Sequence, residues 1–176
     1  MSRIKPLNIS EAPTTTTEQL EQAIEAYGRV PNLYATIARS PVLLKAYAGF
    51  GGALASGRLS PREREIISLV VSQFNSCQYC LSAHSMLASS AGLSTEEMTE
   101  VRSGRSKNPI AMLAGAIVRQ RGLISQSDID VARENGIDDE ILIEVIGNVA
   151  LNILNNYVTN VASTEIDFPI VPTTVQ

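Results

Sequence analysis

Hydrophobic residues along this chain recur every three or four positions, in segments that open on a helix-capping residue and close near glycine or asparagine. In the first such segment the apolar positions are Leu20, Ile24 and Tyr27, and the segment closes at Gly28. This spacing places the apolar side chains on one face of an α-helix, whereas a strand would alternate at every second residue. Similar segments follow over most of the chain. The pattern therefore predicts an all-α protein of about eight or nine helices.

Capping residues mark the start of each predicted helix. Ser60-Pro61-Arg62-Glu63 is a capping box with proline at the first helical position, and Ser94 opens a second box. The other predicted helices begin at Thr16 or Thr17, Ser40-Pro41, Asn75 or Ser76, Asn108-Pro109, Ser125 and Asp138, and the last runs from about Asp139 to Ala162. We expect residues 1–176 to form a single all-helical domain, with 163–176 as an extended tail.

Composition and charge narrow the classes of function. Of the 176 residues, 44% are hydrophobic and 18% charged, and fourteen basic against eighteen acidic side chains give a net charge of −4. With no long run of either sign, we expect neither nucleic acid nor a membrane as a partner. The amino terminus lacks the ~7–15 apolar residues of a secretory signal, and the stretch from Ile141 to Leu154 is shorter than the ~20 residues that span a bilayer. We therefore expect a cytoplasmic protein.

Both cysteines and the only histidine lie within eight consecutive residues. Cys77 and Cys80 form a C-x-x-C pair, and His84 follows four residues later. In a reducing compartment such a pair is typical of catalytic or metal-binding thiols rather than of a structural disulfide. A helix beginning near Cys77 would place the three side chains on one face. The thiols would lie at its positive end, where a thiolate is stabilised.

Glu65 reaches this face only if the chain reverses between two helices. In one continuous helix Glu65 and His84 would lie about 28 Å apart at ~1.5 Å per residue. If the chain turns back midway, they lie at the same height on antiparallel helices. The carboxylate can then orient the imidazole, which takes the thiol proton. Ser68 and Ser72 share the Glu65 face and are candidate pocket residues, and Tyr79 is either a pocket wall or a core aromatic.

The pattern Glu65, eleven residues, Cys77-Gln78-Tyr79-Cys80, three residues, His84 resembles the core of the alkylhydroperoxidase-D-like, carboxymuconolactone decarboxylase-related superfamily. The resemblance is close over a core motif region, residues 59–104. The rest is more loosely similar to the peroxidase-related branch, including Val30-Pro31-Asn32 and Asp167-Phe168-Pro169. This resemblance implies an alkylhydroperoxidase-D-like helical bundle with the C-x-x-C pair at a helix N-terminus.

The same resemblance implies thiol-dependent reduction of hydroperoxides in a homo-oligomer, a trimer or a hexamer. By carry-over, Cys80 attacks the peroxide, Cys77 resolves the product, and His84 and Glu65 form a proton relay. The partners would be a hydroperoxide substrate and an external dithiol or protein reductant, with no cofactor and no metal. The founding peroxidase has a second histidine immediately before the attacking cysteine. Here that position is Tyr79.

Several other functions use the same residues. A disulfide reductase or a redox-sensing adaptor would use the thiol pair with little peroxidase turnover. A decarboxylase or lactone enzyme is suggested only by the superfamily's name, and acid–base chemistry on a carboxylate needs no thiol pair. Cys77, Cys80, His84 and Glu65 are acceptable zinc ligands, although structural zinc sites usually draw on two separate Cys/His pairs. A structural disulfide or an inert buried thiol pair would carry no chemistry.

A weak internal echo relates this region to the last predicted helix. Glu65-Ile66-Ile67 resembles Glu140-Ile141-Leu142 at an offset of 75 residues. At that offset the positions of Cys77, Cys80 and His84 correspond to Asn152, Asn155 and Thr159. Two amphipathic helices can resemble each other without a common origin, and a second copy would have lost every reactive group.

Overall fold

The computed structural model describes residues 2–175, and in that part of the chain it contains helices and no strand. Two short 3-10 helices, Ile9–Glu11 and Thr14–Thr16, precede the α-helices. Nine α-helices follow within the described residues: α1 (Thr17–Tyr27), α2 (Asn32–Ile37), α3 (Pro41–Ala55), α4 (Pro61–Phe74), α5 (Gln78–Ser90), α6 (Thr95–Ser103), α7 (Pro109–Gln120), α8 (Gln126–Glu134) and α9 (Asp139–Ala162). The prediction of an all-α protein is confirmed.

The helix starts follow the capping residues closely. Capping boxes are formed at Ser60, Ser94 and Ser125, where each serine oxygen accepts a main-chain N–H and an acidic side chain returns a bond to the serine N–H. The sequence pattern missed α2, because six residues are too few to display a helical period. It also misplaced the cap of α5. That cap is Cys77 itself, and not Asn75 or Ser76.

Two helices, α4 and α9, lie at the centre of the packing. α4 packs against α5, α6, α7 and α9, and α9 also contacts α2, α3, α5 and α7. The larger core cluster includes the fully buried Ile67, Leu69 and Val145, each worth roughly 1.5–3 kcal/mol on burial. A smaller cluster joins side chains of α1, α2 and α3 to the start of α5, and it contains both cysteines. The sulfurs therefore lie in a core and not on the surface.

The buried side of α9 is polar for a core helix. By length and composition alone α9 is apolar enough to cross a membrane, yet it packs against five helices of this fold. The stretch from Ile141 to Leu154 continues as helix to Ala162. The buried face carries Asn148, Asn152, Asn155, Asn156 and Thr159. Because α9 runs without interruption, the bend between α4 and α5 has no counterpart in it, so the internal echo is not a structural repeat.

The tail after α9 contains no helix in residues 163–175, and Gln176, like Met1, lies outside the described residues. Asp167 accepts hydrogen bonds from the side chain of Arg29 and, at 2.9 Å, from the N–H of Asn32, the first residue of α2. Further along, the N–H of Val171 donates to Ser82 Oγ at 3.0 Å. The tail is thus fastened across α2 and α5. The prediction of a single domain stays a prediction.

Candidate active site

The chain reverses between α4 and α5, as the position of Glu65 required. Ser76 takes a left-handed backbone conformation with φ of 50°, which is uncommon for a residue other than glycine. α9 holds the bend from the other side. Asn75 Nδ2 donates to Asn156 Oδ1 at 2.9 Å, and Asn160 Nδ2 donates to the carbonyl of Asn75 at 3.1 Å. The predicted helical hairpin is therefore present, and α9 supports it with asparagine side chains.

Cys77 and Cys80 meet at the start of α5, where the structure records them as a disulfide with Cα atoms 5.3 Å apart. Cys77 is the N-cap of the helix, and its Sγ accepts the N–H of Cys80 at 3.2 Å. The exposed fractions of the two residues are 0% and 2%. The positive end of α5 therefore acts directly on Cys77, in surroundings without bulk water.

Thr159 of α9 is the other polar neighbour of the two sulfurs. Its Oγ1 lies 3.0 Å from Cys77 Sγ and 3.5 Å from Cys80 Sγ. The hydroxyl also donates to the main-chain carbonyls of Asn155, at 2.9 Å, and Asn156, at 3.2 Å. Sequence reasoning assigned Thr159 no role. No local signal in the sequence marks it, because the contact joins residues 82 positions apart.

His84 and Glu65 form the second polar pair of the site. Nδ1 of His84 lies 2.8 Å from Oε2 of Glu65, and the two side chains are 18% and 16% exposed. A carboxylate can only accept hydrogen bonds, so in this pair Nδ1 carries the proton and Nε2 is left for other chemistry. Among the described residues, the hydrogen bond of His84 goes to Glu65 and not to a sulfur. The four predicted residues are thus divided into a dry sulfur pair and a partly wet imidazole–carboxylate pair.

The two serines on the Glu65 face are buried and engaged within the core. Ser68 Oγ donates to the carbonyl of Arg64, one turn earlier in α4, at 2.8 Å. Ser72 Oγ accepts from Asn156 Nδ2 at 3.3 Å. The structure therefore brings Ser72 to α9, beside the asparagines that hold the bend, while Ser68 bonds within its own helix. A pocket role for either serine stays a prediction.

Tyr79 lies in the same core cluster as the sulfurs. Its hydroxyl accepts the N–H of Leu33, in the first turn of α2, at 3.0 Å. Its ring meets that of Phe168 edge to face, with centroids 5.7 Å apart. Burial raises the pKa of Tyr79, so the phenol stays protonated. Tyr79 thus fastens α2 and the tail to α5, and its role as a pocket wall stays a prediction.

Three further tyrosines, on α1, α2 and α3, were missed by sequence reasoning. The rings of Tyr27 and Tyr34 have centroids 5.8 Å apart, and those of Tyr34 and Tyr47 are 5.2 Å apart. Burial raises the pKa of all three phenols, and the charge of Glu65 raises that of Tyr27 further. At Tyr47, hydrogen bonding with the side chains of Tyr34 and Asn155 partly offsets the rise in pKa that burial causes. The three rings therefore pack against one another across α1, α2 and α3.

A metal centre gains no support from this arrangement. The described residues include no group of three or more histidine, cysteine, aspartate or glutamate side chains that could hold a metal ion. Of the four candidate zinc ligands, Cys77 is paired with Cys80, and His84 with Glu65.

Comparison with known proteins gives one family match and several similar folds. Residues 41–106 match the carboxymuconolactone decarboxylase family. A peroxidase-related protein from Ralstonia eutropha JMP134, with an alkylhydroperoxidase AhpD core, is 21% identical, with a TM-score of 0.79 over 94% of this chain and 92% of that one. A peroxidase-related protein from Silicibacter sp. TM1040 is 22% identical, with a TM-score of 0.77 over 92% and 91%.

A further protein of similar fold is described as a debrominase. The debrominase Bmp8, in complex with 2,3,4-tribromopyrrole, is 17% identical, with a TM-score of 0.78 over 93% of this chain and 91% of that one. None of the curated proteins matches this sequence. At these identities the structural likeness is one of fold. The comparisons therefore show an alkylhydroperoxidase-D-like fold, with a match to the carboxymuconolactone decarboxylase family over the segment that contains the cysteine pair.

Proposed function

We propose that this protein is a thiol-dependent peroxidase that reduces hydroperoxides through Cys77 and Cys80. The observation that carries the proposal is the pairing of the two sulfurs at the positive end of α5, with His84 one turn further along the same helix and hydrogen-bonded to Glu65. Two proteins of similar fold are described as peroxidase-related, which supports the same class of reaction.

In the proposed reaction the Cys80 thiolate attacks the hydroperoxide and breaks the O–O bond. Nε2 of His84 first takes the proton of the Cys80 thiol. One oxygen of the hydroperoxide then stays on the sulfur as sulfenic acid, and the other leaves as an alkoxide that takes this proton back from Nε2. The Cys77 thiolate then attacks the Cys80 sulfur and expels hydroxide, which becomes water. An external dithiol supplies two electrons and two protons to restore the thiols and is itself oxidised to a disulfide. Glu65 holds the imidazole in orientation throughout.

Lowering the thiol pKa alone would not make Cys80 a fast peroxidase. A fall from ~8.5 to ~6 raises the thiolate fraction at pH 7 roughly thirtyfold. Nucleophilicity falls with basicity, and a Brønsted slope of ~0.5, taken from thiol exchange, removes more than tenfold of that gain. The useful contribution must therefore come from positioning of the sulfur and from proton delivery to the alkoxide by His84.

A disulfide reductase or redox-sensing adaptor is the second candidate, and one observation favours it. The residue before Cys80 is Tyr79, whose hydroxyl accepts a main-chain N–H and whose pKa is raised by burial. The site therefore holds a single imidazole for proton transfer. Exchange between the C-x-x-C pair and another disulfide needs less proton delivery than peroxide cleavage does, and a site with one imidazole suits it.

Two assays on the same protein separate these candidates. The first follows oxidation of a dithiol driven by an alkyl hydroperoxide, and the second follows reduction of a model protein disulfide. We expect turnover with the hydroperoxide that depends on both cysteines. Rapid disulfide exchange without hydroperoxide consumption would instead establish the reductase or adaptor. 2,3,4-Tribromopyrrole is a third substrate to assay, because Bmp8 shares the fold, and we expect no bromide release from it.

We propose that the chain acts in the cytoplasm as a homo-oligomer, a trimer or a hexamer. Its longest helix exposes Ile143, Ile146, Tyr157 and Val161, a row at helical spacing that a second copy would cover. Sedimentation velocity measures the assembly directly. We expect a species of at least three times the 18.9 kDa chain mass, and a monomer at micromolar concentration would contradict this part of the proposal.

A further inference from the structure

Thr159 is the one side chain from outside the α4–α5 hairpin that the described structure places in hydrogen-bond range of both sulfurs. Its hydroxyl is buried, with a residue exposure of 3%, and it approaches Cys77 more closely than Cys80, at 3.0 Å against 3.5 Å. It comes from α9, whose neighbouring asparagines also hold the bend at Asn75. The position of the hydroxyl is therefore determined by the core and not by a mobile loop.

The hydroxyl proton of Thr159 is available to a better acceptor than its present ones. It now points to the carbonyls of Asn155 and Asn156. In an α-helix the carbonyl of Asn155 also accepts the main-chain N–H of Thr159, so it does not depend on the hydroxyl. A disulfide sulfur is a weak acceptor, whereas a thiolate accepts a hydrogen bond strongly. When the pair is reduced and Cys77 is a thiolate, a hydrogen bond from the hydroxyl to that sulfur is therefore stronger than its bonds to the carbonyls.

A thiolate at Cys77 has few other sources of stabilisation. None of the buried residues in the described part of the chain is charged. Apart from the two cysteines, the titratable buried residues of the core cluster that contains the sulfurs are Tyr47 of α3 and Tyr79 of α5, and burial raises the pKa of both. His84 of α5 and Glu65 of α4 bond to each other, and Asp167 of the tail bonds to Arg29. What remains for Cys77 is the N–H of Cys80, the positive end of α5 and the Thr159 hydroxyl.

We propose that Thr159 is a further catalytic residue, which donates a hydrogen bond to Cys77 while that sulfur acts as the resolving thiolate. This inference rests on the proposed peroxidase function. In the resolving step the Cys77 thiolate forms the S–S bond, the bond from the Cys80 sulfur to its hydroxyl oxygen breaks, and hydroxide leaves to be protonated to water. The hydroxyl holds the thiolate in place before the step and returns to the carbonyls of α9 after it.

The test compares two variants without the hydroxyl, Thr159→Val and Thr159→Ala, with Thr159→Ser, which keeps it. The pKa of Cys77 is read from alkylation rates in the Cys80→Ser background, where it is the only thiol. We expect the pKa to rise by about one unit without the hydroxyl, because a hydrogen bond to a charged group is lost. In the two-cysteine protein we expect the Cys80 sulfenic acid, trapped with dimedone, to persist about tenfold longer. Thr159→Ser should restore both values.

Thr36→Val is the matched control, since Thr36 is also buried and its hydroxyl also donates to a carbonyl one turn earlier, at 2.7 Å, but on α2. It should change neither the pKa of Cys77 nor the sulfenic acid lifetime. An unchanged or lowered pKa in both hydroxyl-free variants would overturn the role of Thr159. Failure of hydroperoxide to oxidise the wild-type thiols would overturn the peroxidase proposal instead, and the pKa comparison would still decide whether Thr159 supports the thiolate.

Discussion

The two halves of the site differ in their contact with water. The sulfur half, formed by Cys77, Cys80 and Thr159, is buried, with each whole residue at most 3% exposed. His84 and Glu65 are only partly buried, and their side chains are 18% and 16% exposed. Sulfenic acids are oxidised further or captured by other thiols when they are accessible. A dry sulfur pair limits those reactions, while a partly wet imidazole can exchange its proton with solvent. Proton exchange with solvent and sulfur chemistry therefore take place in different surroundings, about one helical turn apart on α5.

The two halves also differ in what holds them. His84 and Glu65 meet through packing of α4 against α5 and a hydrogen bond of 2.8 Å. The sulfur half additionally depends on α9, which supplies Thr159 and the asparagines that fix the bend. Substitutions in the sulfur half, which is the dry half, should therefore act on chemistry and structure together. Substitutions of His84 and Glu65, which form the wet half, should act mainly on the rate of proton transfer.

The largest expected effect is the loss of the attacking sulfur. Cys80→Ser should lower hydroperoxide turnover with a dithiol at least 1,000-fold, on the order of the loss seen when a nucleophile is removed from other enzymes. Cys77→Ser should behave differently, because Cys80 can still be oxidised once and then be rescued slowly by a small thiol. Steady-state dithiol oxidation measures both variants. Full turnover in Cys80→Ser would show that the dry half is not the reaction centre.

The next effect concerns the wet half. His84→Ala should lower kcat about 100-fold by removing the proton donor, within the usual range for general acid catalysis. Glu65→Gln should cost less, about tenfold, since it changes only the orientation and charge around the imidazole. Added imidazole should partly rescue His84→Ala and not Cys80→Ser. If His84→Ala matched the wild type in kcat at all pH values, the two halves would not cooperate.

Alkaline pH should weaken the folded state through its buried phenols. Burial raises the pKa of Tyr27, Tyr34, Tyr47 and Tyr79 above the unfolded value near 10. Below that value their stabilisation is fully present, and it falls as the pH rises toward the folded pKa values. In this window each phenol lowers the free energy of unfolding by about 1.4 kcal/mol per pH unit. Urea unfolding between pH 9 and pH 12 measures the total slope. Tyr47→Phe should reduce it by one phenol's share, and an unchanged slope would contradict the burial of Tyr47.

The smallest effect is expected at the tail, which covers the sulfur half through Phe168 and Tyr79. Asp167→Ala removes the carboxylate that caps α2 and pairs with Arg29. It should lower the free energy of unfolding by about 1–2 kcal/mol, as loss of a helix cap does. Glu165→Ala is the control, because only the main-chain carbonyl of Glu165 bonds to Asn32. Equal losses in both variants would show that the Asp167 side chain does not fasten the tail.

The helices and the contact within the wet half could be predicted from the sequence, because both follow local rules. Capping boxes at Ser60 and Ser94 marked two helix starts, and the spacing of Glu65 and His84 about a bend predicted a contact that the structure forms. The short α2 was not predicted. Its first N–H groups donate to the side chains of Asp167 and Tyr79, which are distant in sequence, so no local capping residue marks its start.

The dry half could not be predicted in full, because it depends on which face of α9 meets α5. Periodicity indicated that α9 was a long apolar helix, but not that its polar residues would be the buried ones. Thr159 and Asn156 act across 82 and 81 residues of sequence, on Cys77 and Asn75. No local pattern encodes such contacts. The cap of α5 was predicted wrongly for a different reason, because cysteine is not among the residues expected to cap helices.

The central claim is that Cys77 and Cys80 are a redox pair oxidised by hydroperoxide. The most direct measurement adds one equivalent of an alkyl hydroperoxide to the reduced protein, then counts free thiols and determines the mass of the intact chain. The account predicts that two thiols disappear, that the mass falls by about two hydrogens, and that one equivalent of alcohol forms. Two thiols remaining beside unreacted hydroperoxide would contradict it.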